Sequence, residues 1–169
     1  MNATPPASQQ VPTSRRHTVA ERRTNPMTAY VELSDPVLEY LRTGTRTAHL
    51  GYLGSDGRPL VAPVWFVIVD DTVVFATGRT TAKGRALARD PRVTVSIDAP
   101  HAPYSFVQIQ GHAEFDTRPD HVLAVTTACG ARYMGAARAQ EFGDRNADEN
   151  EVAIHIRPVR VLFNPDVTA

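Results

Sequence analysis

The residues that carry most chemical information lie in the segment TGRTTAKGR, which spans Thr77 to Arg85. It places three cations, Arg79, Lys83 and Arg85, close together, and Lys83 is the only lysine in the chain. An ammonium is a compact charge that can meet a tetrahedral phosphate from several directions. The spacing therefore indicates an anion site, although a solvated basic turn that binds nothing explains it equally well.

The same segment joins a predicted strand to a predicted helix. Thr80 or Thr81 can cap that helix, whose first N–H groups have no partner within the helix. Free N–H groups and the positive end of the helix dipole attract anions. Gly78 and Gly84 would let a ligand approach the backbone closely. The local chemistry therefore suits a phosphate.

A second candidate element is the strand VAPVW, from Val61 to Trp65. Its side chains are small or apolar, and Pro63 interrupts the hydrogen-bond ladder. A flat ring can lie against such a strand. A core strand with Trp65 buried explains the same residues, and the strand taken alone favours that explanation.

Other catalytic combinations are not evident in the sequence. No G-x-S-x-G motif or Cys/His arrangement indicates a nucleophile. Asp148, Glu149 and Glu151 are predicted to form a solvated loop. The histidines show no metal-binding spacing, so we predict no metal site. Beyond the first 29 residues they are scattered at His49, His101, His112, His121 and His155.

Composition narrows the class of protein. The chain has 169 residues, of which 42% are hydrophobic, which is enough for one compact domain with a core. Its formal net charge of zero gives no reason to expect nucleic acid or an anionic membrane as partner. Cys129 is the only cysteine, and we predict that it is buried and behaves as a small apolar residue. A single cysteine cannot form a disulfide within the chain, which fits the reducing environment of the cytoplasm, so we predict a cytoplasmic protein.

The first 29 residues differ from the rest of the chain. They contain four Pro, no Gly, and four Arg against one Glu. Such a segment buries little apolar surface, so we predict that residues 1–29 form a disordered basic tail. An overlong start or a flexible tail explains it better than a targeting peptide. Residues 30–169 are predicted to form the functional domain.

Hydrophobic patterning predicts a fold made mostly of strands. Six strands are expected, over residues 47–53, 58–69, 72–78, 92–98, 106–116 and 151–164. Helices are expected from Ser34 to Gly44, from Thr80 to Arg89, and from Arg118 to about Phe142 with a break near Gly135. Pro158 requires a bend or a free edge in the last strand. This order predicts a small antiparallel barrel.

Several of these segments together resemble a known family. The stretch from Asp56 to Asp98, followed by SFVQIQGHAEF and ARYMGAARAQEFGDRN, is similar to the pyridoxamine-phosphate-oxidase-like split β-barrel family. Within it the sequence resembles the flavin/deazaflavin oxidoreductases thought to use coenzyme F420. The similarity runs from about Val31 to Phe163. The D-G-x-P turn, the A-P-V-W-F strand, the T-x-x-x-x-A-K-G-R helix start and the A-R-Y-M-G helix occur in this order.

The resemblance implies a mainly β fold, a six-stranded antiparallel split β-barrel of the FMN-binding type with flanking helices. Residues 30–169 would be its cofactor-binding domain, and two such domains would form a homodimer with a cofactor in each of two clefts between the subunits. Lys83 would bind the cofactor phosphate, and Ser105, in the loop from Pro103 to Phe106, and Tyr133 would come from the second subunit. The candidate cofactor-binding positions are Val61, Ala62, Pro63, Val64, Ala76, Thr77, Gly78, Arg79, Lys83, Gly84, Arg85, Ser105 and Tyr133.

The implied activity is hydride transfer between reduced F420 and a small conjugated organic substrate. The cofactor would carry the chemistry, while the protein binds, orients and excludes water. Tyr133, Ser105 or solvent could supply the proton. The chain ends soon after Phe163, and its phosphate loop is poorer in cations than an FMN site, which disfavours vitamin B6 oxidation. An FMN-dependent enzyme of the same fold, or a non-catalytic flavin- or haem-binding protein, are the alternatives.

Overall fold

The computed structural model describes residues 29–169. The predicted tail lies outside this range except for Ala29, so its disorder stays a prediction. The described chain consists of strands and helices in one continuous order. They are α1 (Asp35–Arg42), β1 (Ala48–Leu53), β2 (Pro59–Val64), β3 (Val67–Val69), β4 (Thr72–Gly78), α2 (Ala82–Arg89), β5 (Arg92–Asp98), β6 (Phe106–Asp116), α3 (Pro119–Met134), α4 (Ala139–Asn146) and β7 (Glu151–Asn164).

The strands form one antiparallel sheet of seven in the order β2-β1-β5-β6-β7-β4-β3. β2 and β3 lie at opposite edges, although only Trp65 and Phe66 separate them in sequence. Three peptide units span at most about 11 Å, so the sheet must curl until its edges come close. The mainly β antiparallel fold with flanking helices is confirmed. The hydrogen-bond ladder does not close into a complete barrel.

The prediction of six strands was wrong, because the expected strand over 58–69 is two strands. The break lies at Phe66, whose backbone polar groups bond to α3 instead of to a neighbouring strand. Its N–H donates to the hydroxyl of Tyr133 at 3.2 Å, and its carbonyl accepts from Arg132 at 3.2 Å. The Phe66 side chain is fully buried. A continuous apolar run hides such a break, because both halves have the same composition.

β4 and β7 separate two apolar cores because alternate side chains point to opposite faces. Val73, Phe75, Val152, Ile154 and Ile156 pack in the interior of the curled sheet. On the other side, which we call the outer face, Val74 and Ala153 pack against Val122, Val125 and Cys129 of α3. Helix α3 therefore covers the outer face and defines the space beside it.

Several smaller predictions are confirmed. The long helical segment breaks at Gly135, where φ is 91°, before α4 continues. The bend predicted at Pro158 is a register shift between β6 and β7, opposite Gln110 and Gly111. Cys129 is buried, and burial raises the pKa of its thiol to about 11. Within residues 29–169, no helix has the length and apolar character needed to cross a membrane.

Candidate functional site

Several of the predicted site residues line one cavity. It has a volume of about 360 Å³ and lies between α3, α4 and the outer face of the sheet. Its volume falls within the range typical of small-molecule sites. Of the candidate positions, it brings together Pro63, Val64, Ala76 and Lys83. The complete lining is Pro63, Val64, Trp65, Ala76, Lys83, Thr126, Cys129, Gly130, Phe142, Asn146 and Glu151.

Lys83 is positioned by the start of α2. The hydroxyl of Thr81 caps the helix and accepts a hydrogen bond from the N–H of Gly84 at 3.0 Å. The N–H groups of Ala82 and Lys83 have no acceptor among the described residues. The Lys83 ammonium lies 5.7 Å from the centre of the Phe75 ring, and partial burial lowers its pKa. A desolvated cation beside free N–H groups is an arrangement that attracts an anion.

The two other cations of the segment turn away from the cavity. Arg85 is exposed and its guanidinium folds back onto the carbonyl of Thr80. Arg79 is exposed and donates to the carbonyl of Glu149 at 3.3 Å. Of the three clustered cations, only Lys83 therefore lines the cavity, and the expected roles of Arg79 and Arg85 as direct ligands receive no support from their placement within this chain.

Gly84 allows α2 to pack closely against the end of β4. A Cβ atom at Gly84 would lie 2.3 Å from the carbonyl oxygen of Gly78 and 2.8 Å from that of Arg79. Only a glycine lets α2 sit this close to the end of β4. Thr77 is also buried, with its hydroxyl 3.4 Å from that of Thr81. These residues hold Lys83 in place without lining the cavity themselves.

Glu151 was missed by the sequence prediction, which assigned it to a solvated loop. It begins β7, pairs with Gly78, and lines the cavity together with Lys83. Burial raises the pKa of its carboxyl to about 7; the charge of Asp148 acts in the same direction, and Lys83 opposes both. Near neutral pH this carboxyl is therefore partly protonated.

The wall opposite α3 comes from the end of β2. Pro63, Val64 and Trp65 line the cavity, whereas Val61 is 70% exposed and Ala62 does not contribute to the lining. Trp65 is 42% exposed, so the alternative explanation, a core strand with Trp65 buried, is wrong. Its indole stacks on the ring of Tyr133, with centroids 4.8 Å apart and planes 2° from parallel. The wall is therefore apolar, aromatic and rigidly supported.

Comparison with known proteins identifies the family. Residues 35–164 match the family described as pyridoxamine 5'-phosphate oxidase, which covers most of the chain. The chain belongs to the pyridoxamine 5'-phosphate oxidase family. No curated protein gives a significant match to the sequence.

Solved structures of similar proteins place the fold of this family member. A conserved hypothetical protein from Mycobacterium tuberculosis is 22% identical, covers 79% of this chain and 85% of its own, and has a TM-score of 0.69. An F420 reductase is 23% identical, covers 73% and 94%, and has a TM-score of 0.56. The haem storage protein HutZ from Vibrio cholerae is 16% identical, covers 80% and 97%, and has a TM-score of 0.62. At these identities the likeness shows the fold alone.

The cavity of this pyridoxamine 5'-phosphate oxidase family chain fits an anionic aromatic cofactor. Lys83, near the capped start of α2, supplies a cation to the lining, and Pro63, Val64 and Trp65 supply an apolar surface. No histidine lines the cavity among residues 29–169, and the Cys129 thiol stays protonated at neutral pH. A haem iron would therefore lack its usual axial ligands here.

Tyr133 and Ser105 occupy structural positions within the single chain. The Tyr133 hydroxyl donates to the carbonyl of Arg46 at 2.8 Å and accepts from the N–H of Phe66, and burial raises its pKa. This engagement disfavours Tyr133 as the proton donor. Ser105 precedes Phe106, which pairs with Asn164, the last residue of β7, whereas Glu151 is the first residue of that strand. Within its own chain Ser105 does not line the cavity; it is buried, and its carbonyl accepts a hydrogen bond from the Tyr40 hydroxyl at 2.7 Å.

Proposed function

We propose that this chain is an F420-dependent reductase. Lys83 and the amide groups of α2 hold the phosphate of the deazaflavin, and Pro63, Val64 and Trp65 hold its ring. The observation that carries this proposal is the half-buried ammonium of Lys83, at a capped helix start that faces an apolar wall across one cavity. Neither a solvated turn nor an ordinary core requires that combination.

The charges of the cavity support F420 over FMN. Lys83 is the one cation of the described lining, and Glu151 places a partly ionised carboxyl beside it. An FMN phosphate is a monoester that carries about −1.5 to −2 at neutral pH. The phosphodiester of F420 carries a single negative charge. A site whose net charge lies between zero and one suits the diester better.

The protein's contribution is binding, orientation and exclusion of water. A bound, reduced deazaflavin supplies a hydride to an electron-poor double bond, such as that of an enone, an imine or a conjugated lactone. The stacked rings of Trp65 and Tyr133 fix the position of the apolar wall. Cys129 contributes a protonated, buried thiol and so offers no nucleophile to compete with reduction.

An acceptor screen tests the activity directly. Purified protein is mixed with enzymatically reduced F420 and a panel of enones, imines and conjugated lactones, and the return of oxidised-cofactor fluorescence is followed. We expect turnover with at least one acceptor class, and loss of that turnover in Lys83→Ala at subsaturating cofactor. Tight binding of F420 with no turnover on any class would contradict the reductase and favour a carrier.

A homodimer completes the proposal. β2 is an edge strand, and its apolar side chains Leu60 and Val61 are 42% and 70% exposed, so the strand can pair with or pack against another chain. A second copy of the chain is proposed to cover this strand and to bring Ser105 toward the cofactor. Light scattering should give twice the mass of one chain. A monomer with undiminished cofactor affinity would contradict this arrangement.

Cofactor affinity is expected to depend on pH through Glu151. Its ionised form repels an anion, so binding of the cofactor favours the protonated carboxyl and raises its pKa further. For a ligand-induced rise of one pKa unit, the affinity for F420 should fall roughly fivefold as pH rises from about 6 to 8, and approach a tenfold loss at higher pH. Fluorescence titrations at several pH values measure it.

Substitution isolates the carboxyl that is responsible. Glu151→Gln should bind F420 more tightly at pH 8 and lose most of the pH dependence. Glu149→Gln is the matched control, because Glu149 is an exposed neighbour that does not line the cavity. A pH dependence that survives in Glu151→Gln would assign the effect to the ligand itself.

A further inference from the structure

Two histidines and an aspartate gather at the end of α3 away from the cavity. The Nε2 atoms of His121 and His155 lie 2.9 Å apart, and the Oδ2 atom of Asp116 lies 3.9 Å from Nε2 of His121. One ligand atom from each of the three residues lies within 4.8 Å of the other two. The side chains of His121 and Asp116 are only 16% and 17% exposed.

The fold brings these residues together from three elements. Asp116 ends β6 and pairs with Ala153 of β7, so His155 follows two residues later on the same face of the sheet. Helix α3 begins immediately after β6 and places His121 over that face in its first turn. The residues are distant in sequence, and this explains why histidine spacing predicted no metal site.

Hydrogen bonding within the cluster leaves ligand capacity unused. The two imidazoles can share one proton between their facing nitrogens, but at 3.9 Å the Asp116 carboxylate is too far from His121 to accept a hydrogen bond. Arg118 holds that carboxylate by three guanidinium contacts, two at 3.1 Å and one at 2.6 Å, and by its backbone N–H at 3.0 Å. A metal-ligating carboxylate is typically oriented by such an outer hydrogen-bond partner.

We propose that His121, His155 and Asp116 bind a divalent transition metal ion, for which zinc is a suitable probe. Two imidazoles and one carboxylate are a ligand set that suits zinc. Metal–nitrogen bonds of about 2.0–2.1 Å in tetrahedral geometry need nitrogens roughly 3.3 Å apart, which a small tilt of the two rings provides. Glu114, which pairs with His155 across the strands, is a further carboxylate on this face, and Arg157 Nε lies 3.7 Å from its Oε2.

The position assigns this metal a structural role. It would join the start of α3 to β6 and β7, while the opposite end of α3, at Cys129 and Gly130, lines the cofactor cavity. Along β7, His155 and Glu151 are about 13 Å apart. The ion therefore fixes the helix that forms the cavity wall without reaching the cavity, and its presence does not depend on which cofactor binds.

Metal titration of the full chain tests the proposal. Protein without an affinity tag is stripped of metal with a chelator, and zinc is then added in competition with a chromophoric indicator to measure its affinity. The absorption spectrum of bound cobalt reports the type of ligands. Thermal unfolding with and without zinc reports stabilisation by the metal. We expect one zinc per chain, a higher unfolding temperature with zinc, and at least about 100-fold weaker zinc binding in His121→Gln and in His155→Gln. His49→Gln is the matched control, because His49 also faces an aspartate, Asp98 at 3.5 Å, on an exposed surface.

Two results would overturn the proposal. One is wild-type protein that takes up no zinc at stoichiometric concentrations and shows no shift in unfolding temperature. This result needs no variant and so does not depend on whether a substituted chain folds. The other is zinc affinity and a cobalt spectrum that are unchanged in folded His121→Gln and His155→Gln, since the metal would then bind elsewhere.

Discussion

Replacing Lys83 with alanine is expected to weaken cofactor binding by roughly 1.5–3 kcal/mol, which is about 10- to 150-fold in Kd. The reason is that Lys83 is the one cation in the described lining, and its ammonium is already partly desolvated. A charge-assisted hydrogen bond to phosphate in such a place is stronger than one on the surface. Fluorescence titration of oxidised F420 measures the change.

Arg85→Ala is the matched control for this loss. Arg85 lies two residues further along α2, carries the same charge, and folds onto the Thr80 carbonyl at the surface. Its removal should cost less than about 1 kcal/mol of cofactor binding. Equal losses of affinity in the two variants would mean that the segment attracts the cofactor by its total positive charge and not through Lys83 in particular. Unchanged affinity in Lys83→Ala would mean that the segment is a solvated basic turn that binds no cofactor.

Replacing Arg132 with methionine is expected to lower the free energy of unfolding by roughly 2–4 kcal/mol. The guanidinium donates to three carbonyls, those of Leu41 at 2.7 Å, Gly44 at 3.0 Å and Phe66 at 3.2 Å. It also lies 4.3 Å from the centre of the Phe66 ring. One side chain therefore ties α3 to α1 and to the break between β2 and β3, and methionine keeps only its apolar stem.

Urea unfolding measures this loss, and Trp65, the only tryptophan, reports it from the break itself. Arg145→Met is the control, because Arg145 is exposed and lies 5.8 Å from the centre of the Phe142 ring, a contact for which less than about 1 kcal/mol is expected. If Arg132→Met lowers the free energy of unfolding no more than the control does, the hydrogen bonds of Arg132 do not stabilise the break between β2 and β3, and packing against α3 alone does.

The sequence predicted correctly those features of the fold that are determined by residues close together in the chain. The capped start of α2, the break at Gly135 and the bend at Pro158 each follow from a residue whose backbone preference is strong. Lys83 was found in the same way, because its neighbours define a helix start. The split of the expected strand over 58–69 into β2 and β3 could not be predicted from local signals, because it depends on Arg132 and Tyr133, which lie far along the chain.

The missed site residues share this distance in sequence. Glu151 looks like part of an acidic loop, and only its pairing with Gly78 in the sheet brings it to Lys83. His121 and His155 are 34 residues apart, and they meet because α3 folds back over β7. A single sequence shows which side chains can do chemistry, but the topology of the sheet decides which of them meet.

The most direct measurement is a parallel titration of purified, dialysed protein with oxidised F420 and with FMN, followed by ligand fluorescence. The charge of the cavity predicts saturable F420 binding that is at least about tenfold tighter than FMN binding, a difference of about 1.4 kcal/mol. FMN bound more tightly than F420 would contradict the deazaflavin assignment. Binding of neither ligand would contradict the cofactor site itself.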